Sequence, residues 1–315
     1  MRIIGTGSAI PKMAVTNDML SQFLDTSDEW IVPRTGIRTR HVITDEKLED
    51  LGTLAASRAL EMAGLRAEDI DFFLCSNVIC EYATPSLSCI IASKLGITAP
   101  CIDINCACPG FLYAMDIAET YYKAGKARNV LIVCAEEPTK MCDWNDRSTC
   151  VLFGDGAAAA VLGPGENILG TRLHSQPAPD KIWETIPLNS TPYSQTCTSA
   201  VPLQMKGREV FKFAVSASTT EVEALLKELG MTKEQVSWYM VHQANIRIID
   251  AIKQYLGEPE EKFPTNIHDH GNSSSASCLI LLDECNRKGL FKEGDILVFS
   301  AFGAGLLSAA AVVRW

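Results

Sequence analysis

The chain has 315 residues, 47% of them hydrophobic and 21% charged, with a formal net charge of -10. That length exceeds one ordinary core and suits two units of about 150 residues each in a folded globular protein. The acidic balance excludes nonspecific nucleic-acid binding, and an acidic partner would need a local basic patch to receive it.

Residues 2–10 predict a short strand running into Gly5-Thr6-Gly7. This resembles the start of a dinucleotide fingerprint, but Ile10 stands where a third glycine belongs, so a turn is expected rather than a phosphate cradle. Thr26-Ser27-Asp28-Glu29-Trp30 offers caps and early acids for a helix leading to Pro33-Arg34-Thr35-Gly36-Ile37. Trp30 and Arg34, four apart, share a helical face. By themselves they fit a partly exposed aromatic beside a solvated arginine; the alternative is a ledge for a flat, phosphorylated ligand.

Leu48 to Ala63 has helical spacing with Gly64 as its stop. Asp71 to Asn77 predicts a buried strand, Pro85 to Leu95 a short helix, Cys101 to Ile104 a strand, and Pro109 to Ala124 a helix closed by Gly125. Asn129 to Ala135 is a fully apolar strand of the kind covered on both faces, and Ala157 to Leu162 is another strand. Residues 164–205, rich in Pro, Ser and Thr, are expected to be irregular and to carry the boundary between 1–165 and 166–315. Beyond them the pattern resumes. Glu209 to Leu229, Asn245 to Leu256 and Ser273 to Lys288 predict helices; Ser237 to Val241, Ile296 to Ala301 and Leu307 to Val313 predict strands. Alternating strands and helices imply an α/β architecture whose second half loosely repeats the first in element order.

The twelve cysteines include no Cys-x-x-Cys pair and no His-Cys cluster, so no metal site is expected. Cys75, Cys101 and Cys134 sit in apolar runs, as suits a reducing compartment. The first residues lack a signal-peptide pattern, and no apolar stretch approaches the roughly 20 residues that span a bilayer. A cytoplasmic location is the expectation.

Cys108 falls at a strand-to-helix junction, in Asp103-Ile104-Asn105-Cys106-Ala107-Cys108-Pro109-Gly110-Phe111. Pro109 suits the first helical position. A thiol there faces unpaired N–H groups and the positive end of the helix dipole, which favour the attacking thiolate. His242 follows a predicted strand at its carboxyl end, where open α/β sheets gather ligand-binding residues. Asn272 lies in His270-Gly271-Asn272-Ser273, by itself a turn or cap. Gly303-Ala304-Gly305, after the last apolar strand segment, is either a tight hairpin or a place where backbone N–H groups approach a ligand. Cys, His and Asn have a joint use. A thiolate takes an acyl group from a thioester while backbone N–H groups hold the oxyanion. His and Asn hydrogen-bond a second thioester carbonyl and stabilise the enolate formed when a malonyl group loses CO2.

In these residues the chain resembles the β-ketoacyl-[acyl-carrier-protein] synthase III family, the initiating condensing enzymes of bacterial type II fatty-acid synthesis, within the thiolase superfamily. The likeness runs end to end. It rests on Asp28-Glu29-Trp30-Ile31 with Arg34-Thr35-Gly36-Ile37, Cys106 to Phe111, and Asp146-Arg147 with Leu152-Phe153-Gly154-Asp155-Gly156-Ala157. It rests equally on His242-Gln243-Ala244-Asn245-Ile246-Arg247-Ile248, Gly271-Asn272-Ser273-Ser274, and Ala301-Phe302-Gly303-Ala304-Gly305.

The resemblance implies a five-layered αβαβα fold of two pseudo-duplicated halves with mixed sheets, the first carrying the nucleophile and the second His242 and Asn272, and a homodimer. Cys108 would be the nucleophile, His242 and Asn272 would support decarboxylation, and the N–H groups of Cys108 and Ala304 would form the oxyanion hole. Trp30 and Arg147 would sandwich the adenine of coenzyme A, with Arg34 on its phosphates and Asn245 also at the coenzyme. Gln243, Ala244, Asn245, Ile246 and Arg247 would face the acyl carrier protein or its phosphopantetheine arm. Lys206, Arg208, Lys212, Arg247 and Lys253 would supply its basic patch. No cofactor is implied, since acyl-CoA is a substrate. The chain departs from the family pattern at Pro109, where Ala, Ser or Gly is usual, and at Ala304, in place of a frequent glycine. Thr84 stands where some relatives carry Phe at the end of the acyl pocket; a smaller residue there would admit a longer or branched primer.

The implied reaction is a decarboxylative Claisen condensation of an acyl-CoA primer with malonyl-[acyl-carrier protein]. Its nearest rival is a paralogue of secondary metabolism, priming polyketides or transferring acyl groups. Asn272 counts against thiolases and elongating synthases, and the chain length against a hydroxymethylglutaryl-CoA synthase. A non-catalytic acyl-CoA-binding module would not need the triad. A nicotinamide-dependent oxidoreductase is suggested by Gly5-Thr6-Gly7 alone.

Overall fold

The computed structural model describes residues 1–194 and 198–315. The first half runs β1 (Arg2–Ala9), β2 (Met13–Thr16), α1 (Asn17–Leu20), α2 (Asp28–Thr35), β3 (Thr39–Val42), α3 (Leu48–Ala63), β4 (Phe72–Ser76), α4 (Leu87–Leu95), β5 (Cys101–Ile104), α5 (Gly110–Lys123), β6 (Val130–Glu136) and β7 (Gly156–Gly163). The second runs β8 (Ile168–Ser175), β9 (Ile182–Thr185), β10 (Val201–Met205), α6 (Gly207–Glu228), β11 (Trp238–Val241), α7 (Ile246–Leu256), α8 (Ile267–His270), α9 (Ala276–Arg287), β12 (Ile296–Gly303) and β13 (Leu307–Arg314). Cap chemistry sets many of these ends. Ser27 accepts from the Trp30 amide and starts α2, Ser86 accepts from the Cys89 amide and starts α4, and left-handed Gly36, Gly64 and Gly96 stop α2, α3 and α4.

Two mixed sheets carry the fold, one in the order β1-β7-β6-β4-β5 and one in the order β11-β12-β13-β8. From β1 the first pairs antiparallel, antiparallel, then parallel through β7, β6 and β4. From β8 the second repeats that pattern through β13, β12 and β11. The duplication expected from element order is therefore present in strand pairing as well. The central strands are apolar along their whole length because both faces are covered. In β6, Leu131, Val133 and Ala135 pack toward α3 and α4, while Val130, Ile132 and Cys134 pack toward α5 and α9. In β12, Leu297, Phe299 and Ala301 join that same inner core, and Val298 and Phe302 pack toward α6 and α7. Helices α5 and α9 are thus shared between the sheets, and the layers are αβαβα.

Two expectations are corrected. Gly5-Thr6-Gly7 is neither turn nor cradle. It lies inside β1, where a Cβ on Gly5 would sit 2.2 Å from the Ala59 carbonyl oxygen and one on Gly7 2.3 Å from that of Ala55. The glycines let α3 lie directly on the strand, which removes the dinucleotide reading. Residues 164–205 are not irregular throughout: β8 joins the second sheet, and β9 and β10 pair with each other. No helix among the described residues is long and apolar enough to cross a membrane.

Candidate active site

Cys108 lies beyond the end of β5, His242 follows β11 directly, and Gly303 ends β12 with Ala304 just after it. The ends of three strands thus converge, and the turn before α9 brings Asn272. All four of Cys108, His242, Asn272 and Ala304 line one cavity of about 1140 Å³. Apolar side chains, among them Val78, Met141, Val151, Phe153, Leu203 and Phe211, form much of its wall. Trp30, Arg34, Arg147, Arg208 and Arg247 line it too, with Arg34, Arg208 and Arg247 exposed.

The nucleophile turn is tightly specified. Ala107 takes a left-handed φ of 49°, and its carbonyl accepts from the Gly110 amide at 3.0 Å. Pro109, at φ -75°, is the cap residue of α5 rather than its first helical residue, so the departure from the family pattern fits this turn. A Cβ on Gly303 would lie 2.9 Å from the Cys108 nitrogen, so only glycine lets β12 come so near. Neither the Cys108 nor the Ala304 amide donates to a carbonyl among the described residues. Ala304 is not among the residues with positive φ, which is why alanine is accepted there.

The electrostatics differ from the expected thiolate. Burial pushes the Cys108 thiol up to about 12, and Glu136 adds to the rise, outweighing the Ser274 hydroxyl and the residue's own amide. Helix position alone does not ionise it. His242 is 1% exposed, and burial pushes it down to about 3, so the ring is neutral. Its Nδ1 shares a 2.6 Å hydrogen bond with Ser277 Oγ, and Nε2 has no protein partner among the described residues. Asn272 Oδ1 accepts from the Ser274 amide at 2.9 Å, which fixes the side-chain amide. Glu136 lies behind these groups. It is 1% exposed and pushed up to about 7 by burial, with Ser275, Val78 and Ser274 hydrogen-bonded to it in opposition.

At the arginine-lined part of the cavity, the guanidiniums of Arg34 and Arg147 lie 4.7 and 4.9 Å from the centre of the Trp30 ring. Arg147 also pairs with Asp25 at 3.2 Å. Asn245 caps α7, its Oδ1 accepting from the Arg247 amide at 2.9 Å. Of the segment expected to face a carrier protein, Ala244, Asn245 and Arg247 line the cavity, and Ile246 packs on Gly36. Gln243 does not face outward: it is 1% exposed, donating to the Val241 carbonyl at 2.7 Å and accepting from the Asn266 amide at 3.1 Å. Lys206 is paired with Asp180, and Lys253 with Asp250 and Glu260. Of the five cations expected to form a basic patch, Arg208, Lys212 and Arg247 enter no ion pair among the described residues. Thr84 is exposed and lies outside the cavity lining, because its segment stays on the surface of the chain. Within one chain it does not close the acyl end.

Sequence reasoning passed over Glu136, Ser274, Ser277 and Arg40. Arg40 is fully buried, and its guanidinium donates to the Val151 carbonyl at 2.9 Å, fixing a loop of the cavity wall. An acid closing the apolar run of β6 was the signal for Glu136, and a triple serine after Asn272 the signal for Ser274.

Comparison with known proteins agrees with this geometry. The family described as 3-oxoacyl-[acyl-carrier-protein] synthase III matches residues 102–177, and its C-terminal counterpart matches residues 226–315. The chain is 40% identical to a β-ketoacyl-[acyl-carrier-protein] synthase III of Xanthomonas campestris pv. campestris, covering 100% of this chain and 98% of the relative. The crystal structure of 3-oxoacyl-[acyl-carrier-protein] synthase III from Aquifex aeolicus superposes with a TM-score of 0.92 at 39% identity, covering 100% of this chain and 99% of that one. The priming β-ketosynthase of the R1128 polyketide pathway superposes at 0.91 with 34% identity, covering 99% and 95%.

Proposed function

The chain belongs to the 3-oxoacyl-[acyl-carrier-protein] synthase III family, and on that premise we propose how its residues carry out the initiating condensation of fatty-acid synthesis. It is a condensing acyltransferase. An acyl-CoA primer enters the cavity with its adenine between Trp30 and Arg147, which swings off the indole, and its phosphates meet Arg34. Asn245 lies along the same path. Cys108 attacks the thioester, the amides of Cys108 and Ala304 hold the oxyanion, and coenzyme A leaves. Malonyl-[acyl-carrier protein] then docks on Arg208, Lys212 and Arg247. The neutral His242 and the Asn272 amide hydrogen-bond its thioester carbonyl while CO2 departs. A neutral imidazole suits this task, since it donates to a developing enolate without first losing a charge. The enolate attacks acyl-Cys108 and leaves as 3-oxoacyl-[acyl-carrier protein]. The route uses no metal or redox cofactor.

The observation that carries this reading is the joint presence of Cys108, His242, Asn272 and Ala304 in the lining of one cavity. The chain is 40% identical to the Xanthomonas synthase III and 39% identical to that of Aquifex aeolicus, against 34% to the R1128 priming enzyme, which favours fatty-acid initiation over polyketide priming. The enzyme works in the cytoplasm as a homodimer. Its β5 is an edge strand with Ile102 42% exposed, which suits pairing with a second copy. Intact-protein mass tests the chemistry. Exposure to a panel of acyl-CoAs is expected to add one acyl mass at Cys108, and malonyl-[acyl-carrier protein] to remove it with release of the 3-oxoacyl carrier. Acylation that the malonyl carrier cannot discharge would overturn the condensing role.

A further inference from the structure

The Cys108 thiol must lose a proton before it attacks, and none of the groups given roles above takes it. His242 is held neutral by its burial and has its Nδ1 on Ser277. Behind the thiol, Ser274 Oγ lies 3.7 Å from Cys108 Sγ and 3.2 Å from Glu136 Oε1. A hydroxyl carries one proton, so it donates to one of these neighbours and accepts from the other, and a carboxylate only accepts. The order that satisfies all three is thiol to hydroxyl to carboxylate. We infer that Glu136 is the proton acceptor for Cys108, acting through the Ser274 hydroxyl. This rests on the reading of Cys108 as the nucleophile.

The surroundings are built for it. Glu136 is buried and enters no ion pair among the described residues, a costly placement that structure alone does not require. Ser275 Oγ donates to its Oε1 at 2.5 Å and the Val78 amide to its Oε2 at 3.1 Å, while Ser76 Oγ supports Ser275 at 3.0 Å. The titratable groups around it are Cys75 of β4, Cys134 of its own strand, and Cys108. Ser274 is held in a left-handed turn with φ 51°, its amide on Asn272 Oδ1. Burial brings the carboxylate to about 7, where it accepts and returns a proton near neutrality.

The balance is complete. As the sulfur–acyl bond forms, the thiol proton passes to Ser274 and the Ser274 proton to Glu136. The carbon–sulfur bond to coenzyme A breaks, and its thiolate takes a proton from solvent. When the enolate attacks the acyl group, Cys108 leaves as thiolate and recovers its proton from Glu136 through Ser274.

The test follows iodoacetamide alkylation of Cys108 by peptide mass from about pH 5 to 10, in the full-length enzyme and in Ser274→Ala, Glu136→Gln and the double variant. The expected result is alkylation about a hundredfold slower near neutral pH in each single variant, with its rise displaced to higher pH, and no further loss in the double variant. A folded Glu136→Gln enzyme with the original rate and pH profile overturns the relay, and so do effects that multiply in the double variant. Should Glu136→Gln fail to fold, Ser274→Ala decides, because it leaves Ser275 and Val78 on the carboxylate. Alkylation needs no acyl-CoA, so failure of the wild-type enzyme to acylate would sink the condensing reading separately.

Discussion

Residues of one chemical kind behave differently here according to burial. Cys108 is half-buried where the structural thiols Cys134 and Cys278 are fully buried, and it alone of the three lines the cavity, together with His242 and Asn272. His242→Ala and Asn272→Ala are each expected to leave Cys108 able to take an acyl group, while CO2 release falls about 10²–10³-fold; acyl-enzyme mass and CO2 evolution measured in parallel check this. Glu136 also sets a stability signature. Its folded value of about 7 lies above its ordinary 4.5, so its contribution is fully present below pH 4.5 and is lost as pH rises through 7. Glu136→Gln lacks that dependence. The stability difference between wild type and variant should therefore shift against the wild type by on the order of 3 kcal/mol between those pH values, as urea unfolding at a series of pH values will show.

Among the elements, close approach decides more than hydrogen-bond chemistry. α3 rests on β1 through Gly5 and Gly7, and the alanine-rich β7 beside it, buried from Ala157 to Ala160, keeps the layer thin. Gly7→Ala would place a methyl against the rigid Ala55 carbonyl, and a loss of about 1–3 kcal/mol is expected, measurable as a lower midpoint in thermal unfolding. Gly36 plays the same part between α2 and α7: a Cβ there would lie 2.6 Å from Ile246 Cβ, so the helix bearing Trp30 is registered against the helix bearing Arg247. Ile246, expected at a carrier interface, also packs between these two helices.

For the whole molecule, the net charge of -10 and the proposed acidic carrier partner are reconciled by Arg208 and Arg247 on the cavity lining and the exposed Lys212, none of which enters an ion pair among the described residues. Arg208→Glu with Arg247→Glu is expected to raise KM for malonyl-[acyl-carrier protein] at least about tenfold and to flatten its dependence on ionic strength, as steady-state kinetics at several salt concentrations will test. The proposed dimer is expected to appear as such in light scattering after gel filtration and to give way to monomer in Ile102→Lys on the β5 edge; a variant that stays dimeric would place the interface elsewhere.

The periodicities, caps and apolar runs of the sequence were enough to place most strands and helices, because these depend on spacing within a few residues. Leu48 to Ala63 with Gly64, and the all-apolar β6, were legible in that way. Cys108 and His242 stand beside local signals, a strand-to-helix junction and a strand end, whereas the Gly-Asn turn by itself marks Asn272 as a turn or cap, and only its joint use with Cys and His and the family resemblance give it a role. What sequence could not decide depends on contacts across the chain. The role of Gly5 and Gly7 is set by a helix some fifty residues on, in the carbonyls of Ala59 and Ala55. Gln243 turns inward because Val241 and Asn266 need its amide, and β8 is a strand because β13 lies beside it. The state of the Cys108 thiol is not legible in the sequence, because helix position is local, whereas desolvation and a neighbouring carboxylate arrive only when the layers close over it.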